Sequence, residues 1–207
     1  MIRVVCFDLG GVLVKIRPSW RLALSHIPGA PASLPDDLES FEPFKEYQAG
    51  GIQEGEYLAA LSQWARLHSR ESAVGAHQAI LIEPYPKTWE LVRGLQKAGY
   101  KSGCLSNTNG LHWDLMMDFS EYPAVASLDF KSASHISKKA KPDVGAYLHF
   151  ESLCAHAPGQ ILFFDDNLSN VIAARDRGWA AEQVDPSIET APQIVRHLRS
   201  HGIDLDL

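Results

Sequence analysis

A run of four apolar residues at positions 161–164, Ile-Leu-Phe-Phe, is the sequence feature that most constrains the fold of this chain. A strand that is apolar at every position is buried on both faces, which is typical of a parallel sheet covered by helices on each side. A second apolar run lies at 4–7 and a strand-like segment at 100–105. Segments with helical spacing separate them, so the alternation predicts an α/β fold with a doubly wound parallel sheet.

The helical segments divide the chain into two parts. Apolar spacing and capping residues predict a further strand at 179–184 and helices near 56–68, 72–82, 86–98, 111–119, 143–154, 169–177 and 191–201. The stretch 15–84 is mostly helical and is too long for an ordinary connection between strands. We therefore expect a core formed by residues 1–14 and 85–207, with residues 15–84 inserted as a helical cap.

Composition excludes several classes of protein. The 207 residues carry 25 acidic and 19 basic side chains, and this net charge of −6 disfavours nucleic acid as a partner. The three cysteines are too few for a disulfide framework. No apolar run approaches 18 residues, and the N-terminus lacks the features of a signal peptide, so we expect no membrane span and a cytoplasmic location.

Polar residues follow three of the predicted strands. Asp8, Ser106 and Asp165 each stand where a strand ends. In open α/β sheets, ligands bind beyond the carboxyl ends of the strands. One such residue alone is readily explained as a helix cap. If the three strands are neighbours, however, the three side chains converge, and the sequence then predicts a functional site at this edge.

Four motifs in a fixed order make this prediction specific. They are Phe7-Asp8-Leu9-Gly10-Gly11-Val12-Leu13, then Leu105-Ser106-Asn107-Thr108-Asn109, then Lys141-Pro142-Asp143 followed by Tyr147, and Phe164-Asp165-Asp166 followed by Asn170. With these motifs the chain resembles the haloacid dehalogenase-like superfamily over nearly its whole length. Within it, the chain is most similar to bacterial phosphatases of sugar phosphates such as glucose 1-phosphate. The resemblance implies a Rossmann-like core with an inserted cap.

The resemblance also implies roles for individual residues. Asp8, Ser106 and Lys141 would be catalytic, with Asp8 as the nucleophile. Ser106, Asn107 and Lys141 would bind phosphate. The ligands of Mg²⁺ would be Asp8, the backbone carbonyl of Gly10, Asp165 and, through water, Asp166. A phosphomonoester dianion repels a carboxylate nucleophile, and a divalent cation with a lysine offsets that repulsion. Asp8 would form an aspartyl-phosphate that water then hydrolyses.

The first motif departs from the pattern of the superfamily at one position. Its phosphatases usually carry a second aspartate two residues after the nucleophile, as the general acid and base, and this chain has Gly10 there. A positioned acid or base typically contributes about 10²–10⁴-fold to the rate. The departure indicates one of two things. Either water or a cap residue serves as the general acid and base, or the substrate is one such as an anomeric or acyl phosphate, whose leaving group needs less protonation.

The leading interpretation is therefore a Mg²⁺-dependent phosphatase of small phosphorylated metabolites, with sugar phosphates as the expected substrates. The first alternative is a 2-haloacid dehalogenase, although the Asp165-Asp166 pair would repel its carboxylate substrate. The second is a catalytically weak protein that binds a phosphorylated metabolite, and a phosphoryl mutase is a weaker option. Nothing in the sequence predicts the oligomeric state.

Other conspicuous side chains have simpler explanations. We expect structural or exposed roles for His112 and His135, burial of Cys6 and Cys104 in strands, and core positions for Trp64 and Trp89. Four cap residues could face a substrate, although a solvated cap face is the favoured interpretation for them: Arg17, Arg21, Lys45 and Tyr47.

Overall fold

The computed structural model of the chain describes residues 1–25 and 38–205, so positions 26–37 of the predicted cap lie outside the described residues. The strands are β1 (Val4–Phe7), β2 (Val14–Ile16), β3 (Leu81–Pro84), β4 (Lys101–Ser106), β5 (Phe130–Ala133), β6 (Ile161–Asp165) and β7 (Ala180–Gln183). Strands β1 and β4 to β7 form one sheet in the order β5-β4-β1-β6-β7, and every neighbouring pair is parallel. This confirms the predicted fold class and the adjacency of the three strands that carry the motifs.

Helices surround this sheet and fill the connection between β2 and β3. The α-helices are α1 (Trp20–Leu24), α2 (Glu42–Gln48), α3 (Glu54–Trp64), α4 (Arg70–Gln78), α5 (Thr88–Lys97), α6 (Gly110–Met116), α7 (Pro123–Ala126), α8 (Ser134–Ser137), α9 (Val144–Cys154), α10 (Leu168–Asp176) and α11 (Thr190–Ser200). Short 3₁₀ helices lie at Leu38–Ser40 and Pro158–Gln160. None of the helices in the described part of the chain has the length and apolar character needed to cross a membrane.

The two central strands are buried along their whole length, because alternate side chains enter two different apolar clusters. Phe7 and Phe164 belong to the cluster that also contains α5 and α11. Cys6 and Phe163 belong to the cluster on the opposite face, together with α9 and α10. Burial of each phenylalanine contributes about 2–3 kcal/mol. The uninterrupted apolar runs of these strands are therefore a consequence of helices on both faces.

The helices between β2 and β3 form a third apolar cluster, and we call this segment, residues 17–80, the helical insert. Strands β2 and β3 pair antiparallel and bring its two ends together. The sequence did not predict these strands, and the helix expected at 72–82 ends at Gln78. Leu81 and the residues after it pair with β2, so tertiary pairing overrides the local helical pattern.

Strand β5 was also missed. Its sequence, Phe-Lys-Ser-Ala, lacks the apolar run that marked the central strands. It lies at the edge of the sheet, and among the described strands it pairs only with β4. Its first two residues are only partly buried, so polar side chains are tolerated there and the sequence signal is weak.

A buried polar network joins the helical insert to the core. The Tyr57 hydroxyl donates to His77 Nδ1 (2.7 Å), and His77 Nε2 donates to Asn109 Oδ1 (2.9 Å). The Asn109 amide donates to His112 Nδ1 (3.3 Å), and His112 Nε2 donates to the carbonyl oxygen of His77 (3.0 Å). Since a carbonyl oxygen can only accept, both Nε2 atoms carry a proton, and since the Asn109 amide nitrogen can only donate, the His112 ring is neutral.

Burial makes this neutral state strongly preferred. Desolvation lowers the pKa of His112 to about 4, and it lowers the pKa of His77 well below its ordinary value, with His112 adding to that shift. The two rings also stack, with centroids 4.2 Å apart. Protonation of either ring would put an unpaired charge between the insert and the core, so this contact requires neutral histidines.

We predict that the contribution of His112 to the free energy of unfolding falls as the pH is lowered from about 6.5 to about 4. In this interval the unfolded chain binds protons at His112 whereas the folded chain does not, and this residue alone accounts for a loss of about 3 kcal/mol. Chemical denaturation at a series of pH values measures how the free energy of unfolding changes with pH. Relative to the parent, His112→Gln should remove this loss of unfolding free energy at low pH, whereas the same change at the exposed His149 should not. Equal slopes for the parent and His112→Gln would contradict the prediction.

Candidate active site

The carboxyl edge of the sheet brings together the side chains that the motifs predicted. Asp8 follows β1, Ser106 ends β4 and Asp165 ends β6, so neighbouring strands present all three at one edge. The backbone N–H of Asp8 donates to the carbonyl of Phe164 (2.8 Å), which continues the sheet pairing up to the carboxylate. Lys141 reaches the same place from the loop before α9.

Lys141 forms the electrostatic centre of the site. Its buried ammonium group lies 2.6 Å from Asp165 Oδ2 and 3.0 Å from Asp8 Oδ2. Burial alone would lower the pKa of Lys141, but the two carboxylates reverse this effect and hold its pKa above the ordinary value. The lysine is therefore charged, and it bridges the carboxylates that end two adjacent strands.

The carboxylates outnumber this cation. Asp8, Asp165 and Asp166 can each offer an oxygen, and these oxygens lie within 4.8 Å of one another. Burial raises the pKa of Asp8 to about 7; Lys141 opposes the shift, and Asp165 and Asp166 add to it. Burial and Asp165 likewise raise the pKa of Asp166. Three oxygen donors around one ammonium leave a deficit of positive charge, and this donor set suits a hard divalent cation such as Mg²⁺.

Amide groups hold Asp165 in place. The Asn170 side chain donates to both carboxylate oxygens of Asp165, at 3.0 and 3.1 Å. The backbone N–H of Asn167 donates to Asp165 Oδ1 (2.8 Å), and the Asn167 side chain caps α10. The cap of α10 is therefore Asn167, and Asn170 binds Asp165 instead. No motif marked Asn167, although an asparagine just before a helix is a recognisable cap signal.

Asn107 holds the backbone of Lys141. Its carbonyl oxygen Oδ1 accepts from the Lys141 N–H, and its amide nitrogen donates to the Lys141 carbonyl, both at 2.8 Å. The resemblance assigned Asn107 to phosphate binding, which stays a prediction, and in the structure its side chain positions the lysine that faces Asp8. The pairing joins two motifs that lie 34 residues apart, so it is not visible in either motif alone.

The turn after β1 is shaped by its two glycines. Gly11 has φ +76°, and a Cβ atom there would lie 2.5 Å from Asp166 Oδ2, so the turn packs directly on that carboxylate. A Cβ atom at Gly10 would instead lie 3.5 Å from the Ile16 side chain, which is ordinary van der Waals contact. In this chain an apolar side chain borders the position that would carry the second aspartate.

A cavity of about 850 Å³ lies above the site, between the helical insert and the sheet edge. Ser106, Asn107 and Asp166 line it from the core, and Arg17 and Lys45 line it from the insert. Arg21 and Tyr47, the other two cap candidates, are not among its described lining residues. The Tyr47 hydroxyl instead accepts from the backbone N–H of Leu111 (3.1 Å) and fastens α2 to the core.

The remaining conspicuous residues have structural surroundings. His135 Nδ1 donates to the carbonyl of Thr108 (3.1 Å). Cys6 and Cys104 are buried, and desolvation raises the pKa of Cys104 to about 12, which keeps it a neutral thiol. Trp64 and Trp89 are only partly buried, and each packs against an apolar cluster.

Solved structures of similar proteins share the fold. A predicted HAD-like family hydrolase from Porphyromonas gingivalis is 26% identical, with a TM-score of 0.80, over 96% of this chain and 98% of that one. A HAD family enzyme from Bacteroides thetaiotaomicron, solved with magnesium and inorganic phosphate, is 20% identical, with a TM-score of 0.75, over 91% and 96%. An L-2-haloacid dehalogenase from Xanthobacter autotrophicus is 20% identical, with a TM-score of 0.63, over 98% and 84%.

Sequence comparisons lead to the same family. A phosphatase of Mycobacterium tuberculosis is 29% identical over 157 residues, which is 73% of this chain and 70% of the relative. The family model for haloacid dehalogenase-like hydrolases matches residues 2–178, a range that includes all four motifs. The chain therefore belongs to the haloacid dehalogenase-like hydrolases, as the motifs predicted.

Proposed function

We propose that this hydrolase is a Mg²⁺-dependent phosphatase of small phosphorylated metabolites, with sugar phosphates as the first substrates to test. The observation that carries the proposal is the buried Lys141 ammonium, which lies 3.0 Å from Asp8 Oδ2 in a group of three carboxylates. Two relatives support it: one is named a phosphatase, and another was solved with magnesium and inorganic phosphate.

The charges of the site explain why this chemistry needs a metal. Asp8, Asp165 and Asp166 together with a phosphoryl dianion would leave Lys141 as the only cation among them. The carboxylates of these aspartates and the backbone carbonyl of Gly10 would hold Mg²⁺. When bound, the ion supplies the charge that allows a phosphoryl group to approach a carboxylate.

Each residue of the site has a separate role in the proposed reaction. Asp8 attacks phosphorus: a bond forms between its carboxylate oxygen and phosphorus as the ester P–O bond breaks, and the leaving oxygen takes a proton from solvent. Lys141 and the Ser106 hydroxyl bind the phosphoryl oxygens. Asn107 holds the backbone of Lys141, and the Leu9 N–H donates to Asp8 Oδ1 (2.7 Å). The nucleophile and the phosphate-binding lysine are thereby both held in position. Water then hydrolyses the aspartyl-phosphate.

The helical insert serves as the cap in this proposal. We assign residues 15–84, which are the helical insert with the flanking residues of β2 and β3, to the cap, and residues 1–14 and 85–207 to the catalytic core. The β2–β3 pair connects the two parts, and Gln48 in the insert donates to the carbonyl of Asn107 (3.3 Å). The insert thereby covers the phosphate site and limits the access of water to it.

Replacing Asp8 by Asn should lower phosphate release by at least about 10³-fold, because an amide is not a nucleophile here. Addition of EDTA should have a comparable effect on the parent, and excess Mg²⁺ should restore activity. Phosphate release from a panel of phosphomonoesters measures both, with Asp176→Asn at the exposed end of α10 as the matched control.

Two results would contradict this prediction. Halide release from 2-haloacids in the presence of EDTA would identify a dehalogenase instead. Binding of Mg²⁺ and phosphate by the folded parent, without turnover of any ester, would identify a binding protein.

Replacing Gly10 by Asp should restore the missing general acid. A Cβ atom at Gly10 would lie in ordinary contact with the Ile16 side chain, at 3.5 Å, so the backbone accepts a side chain there. We expect kcat/KM to rise about 10-fold or more for alkyl phosphates, whose leaving groups need a proton, and to change little for aryl or acyl phosphates. Gly10→Asn is the control of matching shape. Equal changes for both substrate classes would contradict this explanation of the departure.

A further inference from the structure

Arg17 is held rigidly at the edge of the cavity. Its backbone N–H donates to the carbonyl of Ile80 (2.8 Å). Its side-chain Nη1 donates to the carbonyls of Ala79 (2.9 Å) and Leu81 (3.3 Å), on the segment that leads into β3. These three bonds fix both the backbone and one nitrogen of the guanidinium group. The side chain is partly buried and lines the same cavity as Ser106.

The charge of this arginine has no counterpart in the described part of the chain. No carboxylate there forms an ion pair with Arg17, and its Nε and Nη2 atoms donate no hydrogen bond to the described residues. Lys15, two residues earlier, is different: it pairs with Glu83 at 2.9 Å and lies outside the cavity lining. A guanidinium group has five N–H donors, so most of its capacity stays available to a ligand.

The wall contributed by the insert is positively charged. Its charged lining residues within the described chain are Arg17 and Lys45, and Lys45 is loosely paired with Glu42 at 3.4 Å. The one carboxylate that lines the cavity is Asp166, which lies on the core side with the proposed metal ligands. A cation in a partly closed cavity attracts an anion more strongly than one in open water, because the effective dielectric constant is lower.

We propose that Arg17 binds a second anionic group on the organic part of the substrate, so that the preferred substrates are phosphomonoesters that also carry a carboxylate or another phosphate. This inference rests on the proposed phosphatase function and narrows its substrate class. The planar guanidinium offers two parallel N–H donors to such a group, a geometry that a lysine cannot provide. Lys45, at the same wall, adds a second positive charge.

The test compares substrates that differ in one anionic group. Suitable pairs are 6-phosphogluconate with glucose 6-phosphate, 3-phosphoglycerate with glycerol 3-phosphate, and fructose 1,6-bisphosphate with fructose 6-phosphate. The first two pairs test a carboxylate and the third a second phosphate. We expect the parent to prefer the more anionic member about 10-fold or more in kcat/KM, mainly through a lower KM.

Arg17→Gln should lower kcat/KM for the more anionic substrates by about 10- to 100-fold and for their partners by less than about 3-fold. Arg17→Lys keeps the charge without the planar fork, and we expect an intermediate loss. Lys15→Gln removes a nearby cation that lies outside the cavity and should leave the preference unchanged. Thermal unfolding of each variant shows whether the contacts with Ala79 and Leu81 matter for folding, and Arg17→Lys provides the selectivity test if Arg17→Gln does not fold.

The possible failures are distinguishable. If the parent hydrolyses p-nitrophenyl phosphate, and hydrolyses the two members of each pair with equal kcat/KM, the proposed role of Arg17 is overturned. The phosphatase function would still stand. The role of Arg17 would also be overturned if Arg17→Gln and Arg17→Lys each lowered kcat/KM equally for both members of a pair. Failure of the folded, Mg²⁺-loaded parent to hydrolyse any of these esters would overturn the proposed function and the inference together.

Discussion

The ion pairs of Lys141 with Asp8 and Asp165 are the interactions on which the rest of this site depends. Carboxylates at the ends of two adjacent parallel strands repel each other, and their burial at the sheet edge increases the cost. One ammonium between them offsets part of that cost and leaves an excess of negative charge. This excess of negative charge destabilises the folded protein when no cation is bound, and it makes this edge of the sheet suitable for a divalent cation.

Amide side chains hold the residues that carry these charges. Asn107 binds the backbone of Lys141, and Asn170 binds the side-chain carboxylate of Asp165. A second polar network, centred on His77 and His112, joins the helical insert to the loop that follows Ser106. The insert is therefore attached to the element that presents Ser106 and Asn107, the proposed phosphate-binding residues, and its position can affect the site directly.

Much of this arrangement could be predicted from the sequence, but not all of it. The central strands were recognisable because burial on both faces requires uninterrupted apolar residues, as in β6. Strands β2, β3 and β5 were missed, because they are short or lie at an edge, and pairing with partners distant in the chain decides their conformation. The four motifs located Asp8, Ser106, Lys141 and Asp165, since each type of side chain has a distinct chemical use. The position of Asn107 on the Lys141 backbone was not predictable, because it joins two loops.

The sequence by itself determined the fold class, the family and the set of candidate site residues, because local patterns and residue types carry that information. Only the tertiary structure decided how the side chains are used. It placed Lys141 between two carboxylates, gave the capping role to Asn167 instead of Asn170, and set Ile16 against Gly10. It also left Arg17 without a carboxylate partner in the described chain, facing the cavity. The physical reason is that hydrogen bonds, ion pairs and burial depend on distances between segments, and the order of residues along the chain does not specify those distances.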